Sequence, residues 1–131
     1  MLRVVLDTNI IVSALWNPEG VPAEVWRRGL LKEYMITVSQ GVLDEYENVL
    51  RREKFRHKFS IDKVEKSLCL IQLVADNFVP ETSTTPHFTD ETDRKFYDLA
   101  KAADAYLITG NIKHFPQDNK IITPADFLGM Y

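Results

Sequence analysis

The sequence predicts an α/β protein built as a three-layer α/β/α sandwich, in which helices cover both faces of a five-stranded parallel sheet. Short apolar segments alternate along the chain with longer segments whose apolar residues recur at helical spacing. This alternation is typical of parallel sheets, because two parallel strands are joined by a crossover that is usually a helix. With 131 residues and no internal repeat, the chain is expected to form a single domain, residues 1–131.

Five apolar segments are predicted as strands, over residues 2–7, 34–39, 77–81, 105–109 and 120–124. Five helices are predicted over residues 8–16, 21–33, 40–52, 61–75 and 91–103. Pro22 is a start signal for the second helix. Polar residues suited to capping precede the next three helices: Ser39, Ser60 and Asp90. The polar stretch 82–87 is interpreted as a loop, because too little chain follows it to form a second domain.

The composition is that of an ordinary globular protein, with 45% hydrophobic and 27% charged residues. A net charge of −3 argues against binding duplex nucleic acid over a wide face. No segment is apolar over the length of a membrane span, and the first residues lack the layout of a secretory signal. We therefore expect a cytoplasmic protein with no membrane partner. The only cysteine, Cys69, is interpreted as a small core residue.

Asp7 stands at the end of the first predicted strand, where an unpaired carboxylate among apolar residues is costly. Ligands of open parallel sheets bind beyond the carboxyl ends of the strands, and Asn111 follows the fourth strand. Asp7 could instead cap the first helix, although its strand-end position favours a functional role. Thr8 and Asn9 are predicted as turn and hydrogen-bond partners rather than ligands.

Two glutamates of the third helix, Glu45 and Glu47, lie on the two borders of its apolar stripe. Helical periodicity does not choose between them, and both could be solvated charges. Glu47 can pair with Arg51, four residues further along the helix. That pairing leaves Glu45 the freer of the two.

Asp93 is predicted to lie on the inward face of the fifth helix, one turn before the apolar Phe96. Asp90 has a structural explanation as the helix cap. Asp104 is a reserve candidate at the other end of that helix, where the helix dipole disfavours an acid. Three residues are predicted to lie outside the apolar stripe: Arg94, Lys95 and Asp98.

Asp7, Glu45 and Asp93 are therefore expected to converge from a strand end and two helices. Carboxylates that share one cleft repel one another unless a cation is bound between them. Oxygen donors without paired histidines or cysteines suit Mg²⁺ or Mn²⁺. Such an ion usually acts on phosphate groups, so the residues alone indicate metal-assisted phosphoryl chemistry.

Taken together, these motifs resemble the PIN-domain nucleases, and in particular the VapC-like toxins of prokaryotic type II toxin–antitoxin systems. The resemblance covers nearly the whole chain and rests on VVLDTNIIVSAL, SQGVLDEYENVL, DETDRKFYDLAKAADAYLITGNIKHFP and ITPADFL. It implies the strand order 3-2-1-4-5 and RNA cleavage with Mg²⁺ or Mn²⁺. It also implies an antitoxin partner and a homodimer or higher homo-oligomer. By motif, it assigns the catalytic and metal-binding roles to Asp7, Glu45 and Asp93.

The chain departs from the family pattern at Asn111, where the family commonly has a fourth acid. An amide can orient a metal-bound water but carries no charge, and Asp90 or Asp104 could compensate. The alternative function is a PIN-fold module that binds RNA or protein with weak or lost catalysis. A phosphatase of the haloacid-dehalogenase type fits less well, because Asn9 stands where that chemistry needs a second aspartate.

A basic run follows the third helix in the segment RREKFRHK. It could be a solvated helix end, as such runs usually are. As a functional surface it could hold RNA phosphates, with Phe55 or His57 stacking on a base. Its cations are Arg51, Arg52, Lys54, Arg56 and Lys58.

Overall fold

A computed structural model describes all residues from 1 to 131 and contains one five-stranded sheet in the order β3-β2-β1-β4-β5. Every neighbouring pair of strands is parallel, so the predicted fold class and strand order are confirmed. The strands are β1 (Arg3–Leu6), β2 (Met35–Val38), β3 (Asp76–Asn77), β4 (Tyr106–Ile108) and β5 (Ile121–Ile122). Since all strands run the same way, their carboxyl ends lie at one side of the sheet, here called the carboxyl edge.

Six α-helices surround the sheet: α1 (Thr8–Trp16), α2 (Val21–Leu30), α3 (Gln40–Leu50), α4 (Ile61–Val74), α5 (Arg94–Ala103) and α6 (Pro124–Met130). Three short 3₁₀ turns lie between them, at Glu53–Phe55, Glu91–Asp93 and Ile112–His114. The predicted caps of α3 and α4 are confirmed, since Ser39 accepts from the Val42 amide and Ser60 from the Lys63 amide. None of the helices has the length and apolarity needed to cross a membrane.

The central strand β1 is buried on both faces, because Val4, Val5 and Leu6 are all fully inaccessible. The Tyr46 hydroxyl of α3 donates a hydrogen bond of 2.6 Å to the Leu6 carbonyl. This bond ties α3 to the last residue of β1. It thereby places the middle of α3 next to Asp7, the first residue beyond the strand.

Outside the carboxyl edge, two sequence predictions are wrong and one helix was not predicted. The third strand covers only Asp76–Asn77, and Val79, predicted within it, is fully exposed. Cys69 is exposed rather than buried, because it lies on the outer face of α4. The carboxyl-terminal segment, for which no helix was predicted, forms α6, whose Thr123 side chain caps the Asp126 amide and whose Phe127 is fully buried.

The loop between β3 and α5 covers a face of α5 that was predicted to lie outside its apolar stripe. Asp98 is buried and accepts a 3.0 Å hydrogen bond from the Ser83 amide. Arg94 is nearly buried as well, and its guanidinium donates to the Pro86 carbonyl at 2.9 Å. The helical period identifies the face that packs on the sheet, but a long-range loop covers a second face that the period does not reveal.

Candidate active site

Asp7 occupies the N-cap position of α1, yet its side chain makes no capping hydrogen bond. Instead its Oδ2 accepts a 2.7 Å hydrogen bond from the Thr109 hydroxyl, which lies just beyond β4. The same hydroxyl oxygen accepts a 2.9 Å hydrogen bond from the backbone amide of Asn111. A chain of hydrogen bonds therefore joins the carboxyl ends of β1 and β4 and orients a carboxylate that is only 8% exposed. Sequence reasoning did not assign Thr109 this role, although it directly follows the fourth strand.

The two residues after Asp7 lie in the same turn. Thr8 is buried, and its hydroxyl oxygen is the one buried side-chain polar atom of the molecule without a hydrogen-bond partner. The side-chain Oδ1 of Asn9 accepts a long 3.5 Å contact from the Gly110 backbone amide, which again links the turn after β1 to the turn after β4. A buried hydroxyl without a partner is costly, so the Thr8 oxygen beside Asp7 is suited to meeting a bound group.

The structure separates the two glutamates that periodicity left equivalent. The Glu45 side chain is 16% exposed, and its carboxylate accepts a 3.0 Å hydrogen bond from the Lys95 ammonium of α5. The Glu47 side chain is 52% exposed and pairs with Arg51 at 3.0 Å, as predicted. Of the two, Glu45 therefore faces the region between α3 and α5.

Asp93 immediately precedes α5, and its side chain is 14% exposed. Its carboxylate lies 3.6 Å from the Nδ1 of His114. Burial and, to a smaller extent, the negative charges of Asp7, Asp90 and Glu45 together raise the pKa of Asp93 to about 6, and His114 opposes this rise. Burial likewise raises the pKa of Asp7, against the hydrogen bond from Thr109, with Glu45 adding to the increase. The three predicted acids are thus close enough to repel one another.

The chemistry of this cluster fits a hard divalent cation. The donors are carboxylate oxygens next to a hydroxyl without a partner, which Mg²⁺ and Mn²⁺ accept as ligands. As they stand, no three acidic, histidine or cysteine side chains are arranged so that they could hold a metal ion. Glu45 is turned toward Lys95 instead. For Glu45 to serve as a ligand, its carboxylate would have to exchange the ammonium for the cation.

The remaining predicted acids have different surroundings. Asp90 is close to Asp93, but its Oδ1 accepts from the Thr92 amide and hydroxyl, and these two hydrogen bonds lower its pKa. Asp104 is not brought to the cluster, because it ends α5 at the opposite edge of the sheet from Asp93 and pairs with Lys120 at 2.7 Å. Asp104 therefore does not compensate for Asn111, which lies exposed at the carboxyl edge.

The basic run forms an exposed surface at the far end of α1, away from Asp7. Helix α1 has nine residues, so about 13 Å of helix separates its two ends. Arg51 is occupied by ion pairs with Glu47 and Glu65, whereas Arg52 and Arg56 form no ion pair. Two lysines lie over aromatic rings: Lys54 over Phe55 and Lys58 over Trp16. The segment thus combines free guanidinium groups with the aromatic ring of Trp16, which is also exposed.

Replacing Asp93 by asparagine is expected to raise the melting temperature of the metal-free protein at neutral pH, but not near pH 4. The pKa of Asp93 rises from 3.8 in the unfolded chain to about 6 in the folded protein, so ionisation costs folding free energy. That cost is absent at pH values below the unfolded pKa and grows as the pH rises toward 6. Above pH 6, where Asp93 is ionised in the folded protein as well, the cost reaches its full value. Melting curves of both proteins in chelator, from pH 4 to 8, should diverge by a few °C toward pH 8.

Asp44→Asn is the matched control for this comparison, because Asp44 is an exposed aspartate of α3. We expect the difference in melting temperature between Asp44→Asn and the wild type to stay the same between pH 4 and pH 6. A difference between Asp93→Asn and the wild type that is the same at every pH would contradict the electrostatic explanation.

Comparison with known proteins supports the fold. A family model described as the PIN domain matches residues 3–113. An uncharacterized protein of Methanocaldococcus jannaschii is 29% identical over 111 residues, which cover 84% of this chain and 71% of that protein. The crystal structure of VapBC2 from Rickettsia felis bound to a DNA fragment from their promoter contains a chain that matches with a TM-score of 0.63. At 19% identity, the match covers 93% of this chain and 97% of that one, and it shows a shared fold.

Proposed function

Because the chain belongs to the PIN domain family, we propose that it is a metal-dependent endoribonuclease that hydrolyses RNA phosphodiester bonds. We propose further that it is a single PIN domain over residues 1–131 and acts in the cytoplasm as the toxin of a toxin–antitoxin pair. One observation carries the nuclease proposal. Asp7, Glu45 and Asp93 come from three separate elements and lie close enough for their charges to interact at the carboxyl edge.

Asp7, Glu45 and Asp93 are the proposed ligands of Mg²⁺ or Mn²⁺. A bound ion of this kind activates water and offsets the negative charge of a phosphodiester. Thr109 holds the Asp7 carboxylate in one orientation through its hydroxyl. Thr8, Asn9 and Asn111 line or support the turns that carry these groups, and their amide and hydroxyl groups add polar contacts without further negative charge.

RNA is the proposed substrate because the basic surface at the far end of α1 can hold the phosphates of a strand that extends from the carboxylates. Arg52 and Arg56 are exposed and free of ion pairs. They can therefore contact phosphates in the part of the bound RNA that extends beyond the site. The exposed Trp16 next to Lys58 offers a ring on which an unpaired base can stack. Because the net charge of the protein is −3, phosphate binding is confined to this basic surface. A surface of this size favours single-stranded RNA over a long duplex.

An antitoxin and a second copy of this chain are the proposed protein partners. An apolar groove with a volume of about 400 Å³ lies between α1 and α2. Its walls include Leu15, Trp26 and Leu30, and the exposed Leu31 continues it to the surface. Apolar surface of this kind is suited to a partner helix or strand, and we assign it to the antitoxin.

The test of the nuclease proposal compares two glutamates that lie two positions apart on one helix. Glu45→Gln is expected to reduce cleavage of a single-stranded RNA by roughly a hundredfold or more, because a negatively charged ligand is lost. Glu47→Gln is expected to cleave at the wild-type rate, since Glu47 pairs with Arg51 at the surface. The assay uses gel-resolved oligonucleotides with Mg²⁺, with Mn²⁺ and with chelator. Equal rates for the two variants, or no cleavage by the wild type, would count against the proposal.

The presence of Asn111 favours one alternative, a PIN-fold module that binds RNA or protein without cutting it. Asn111 is exposed at the carboxyl edge and supplies no negative charge there. Calorimetric titration with Mn²⁺ separates the two functions. A nuclease should bind the ion through its carboxylates, whereas a protein that binds RNA but takes up no Mn²⁺ would be the non-catalytic module.

A further inference from the structure

A second cavity opens beside Asp93, with a volume of about 390 Å³. This size falls within the range of small-ligand pockets, about 300–1,000 Å³. One wall comes from the loop that precedes α5, and the other from the 3₁₀ turn Ile112–His114 and the residues after it. The residues used below are Pro86, His87, Asp90, Asp93, Lys113 and His114.

The walls of this cavity are held in place by contacts behind them. The Arg94 guanidinium donates to the Pro86 carbonyl at 2.9 Å and to the Ser83 hydroxyl at 3.0 Å. It also lies 4.8 Å from the centre of the Phe88 ring. Phe88 in turn packs edge-on against Phe115, which belongs to the opposite wall, at 6.1 Å between ring centres. A cavity whose walls are anchored in this way loses little freedom when a ligand enters.

The cavity offers contacts for both parts of a nucleotide. Lys113 is exposed and forms no ion pair, so its ammonium is free to hold a phosphate. His87 is exposed as well, and its flat ring beside Pro86 can stack on a base. Asp90 binds Thr92 through Oδ1 only, which leaves Oδ2 able to accept from a base amine.

The cavity is continuous with the carboxylate cluster. Asp93 lines it, and the Nδ1 of His114 lies 3.6 Å from the Asp93 carboxylate. In a bound RNA, a nucleotide in the cavity would therefore lie next to the phosphodiester bond at the carboxylates. We propose that this cavity is a subsite for one nucleotide of the RNA next to the cleaved bond, with its phosphate on Lys113 and its base against His87. This subsite rests on the proposed nuclease function and determines which base is preferred beside the cut.

The first experiment compares the cut sites of wild type, His87→Ala and Lys113→Ala in a pool of RNA oligonucleotides of random sequence. We expect both variants to raise KM by roughly tenfold, because a stacking or phosphate contact is lost. His87→Ala should in addition weaken the base preference at one position beside the cut. Lys66→Ala, which removes an exposed lysine of α4 that forms no ion pair, is the control and should match the wild type.

The second experiment titrates AMP, GMP, CMP and UMP into the full chain in chelator, with amide resonances recorded by NMR. Changes around residues 86–93 and 113–116 that weaken in both variants would support the subsite, whether or not the wild type cleaves RNA. If the wild type cleaves no RNA, the proposed function fails and this titration alone decides the subsite. If both variants keep the wild-type cut pattern, KM and titration, the subsite is overturned while the nuclease proposal stands.

Discussion

Replacing Asp7 by asparagine is expected to lower Mg²⁺- or Mn²⁺-dependent RNA cleavage by roughly a thousandfold or more. The substitution keeps the shape of the side chain, and the amide carbonyl can still accept the hydrogen bond from Thr109. What it removes is the negative charge of the most buried carboxylate in the cluster. Single-turnover rates at saturating RNA, measured over a series of metal concentrations, separate the loss of metal binding from the loss of turnover.

The same variant should remain folded, which distinguishes a lost ligand from a lost structure. Burial raises the pKa of Asp7, so the ionised carboxylate opposes folding when no cation is present. In chelator at neutral pH, we therefore expect Asp7→Asn to melt at a temperature no lower than that of the wild type. Mn²⁺ should raise the melting temperature of the wild type but not that of the variant. Full cleavage by a folded Asp7→Asn protein would refute the assignment of Asp7.

The regular part of the fold follows from local pattern. The limits of α1 coincide with the prediction. The predicted caps of α3 and α4 are also observed, because a serine just before a helix accepts a hydrogen bond from a free amide of the first turn. The limits of the short edge strand β3 cannot be predicted from local pattern, because only two of its residues pair and their position is set by pairing with β2. The helix α6 does not follow from periodicity either, but Thr123 before Pro124 is a start signal that could have indicated it.

The sequence proposes single residues for the candidate site, but it does not reveal the residues that they contact. Strand-end position indicated Asp7, and helical phase placed Asp93 inward. The pairing of Glu47 with Arg51 was predictable from their spacing, whereas the contact of Glu45 with Lys95, fifty positions further along the chain, was not. The hydrogen bond from Thr109 to Asp7 spans 102 positions. Contacts of such separation arise from sheet topology, so no local pattern in one sequence reveals them.

Replacing Lys95 by methionine is expected to change metal binding and turnover in opposite directions. The Lys95 ammonium lies 3.0 Å from the Glu45 carboxylate and partly neutralises the cluster. Without that positive charge the carboxylates attract a divalent cation more strongly, so the Kd for Mn²⁺ should fall by roughly tenfold. Turnover at saturating metal should instead fall by roughly tenfold or more, because a Lys95 ammonium that Glu45 releases to bind the metal is free to donate to a phosphodiester oxygen.

Methionine is the appropriate substitution because it keeps an unbranched apolar stem where the lysine chain packs, and removes only the charge. Lys66→Met is the matched control on α4 and should change neither quantity. Calorimetry with Mn²⁺ reports the affinity, and single-turnover cleavage at saturating metal reports the rate. If Lys95 served only to hold α5 against α3, the variant would lower the melting temperature and leave the Mn²⁺ affinity unchanged. Tighter Mn²⁺ binding together with slower cleavage would show that Lys95 competes with the metal for Glu45 and then takes part in the reaction.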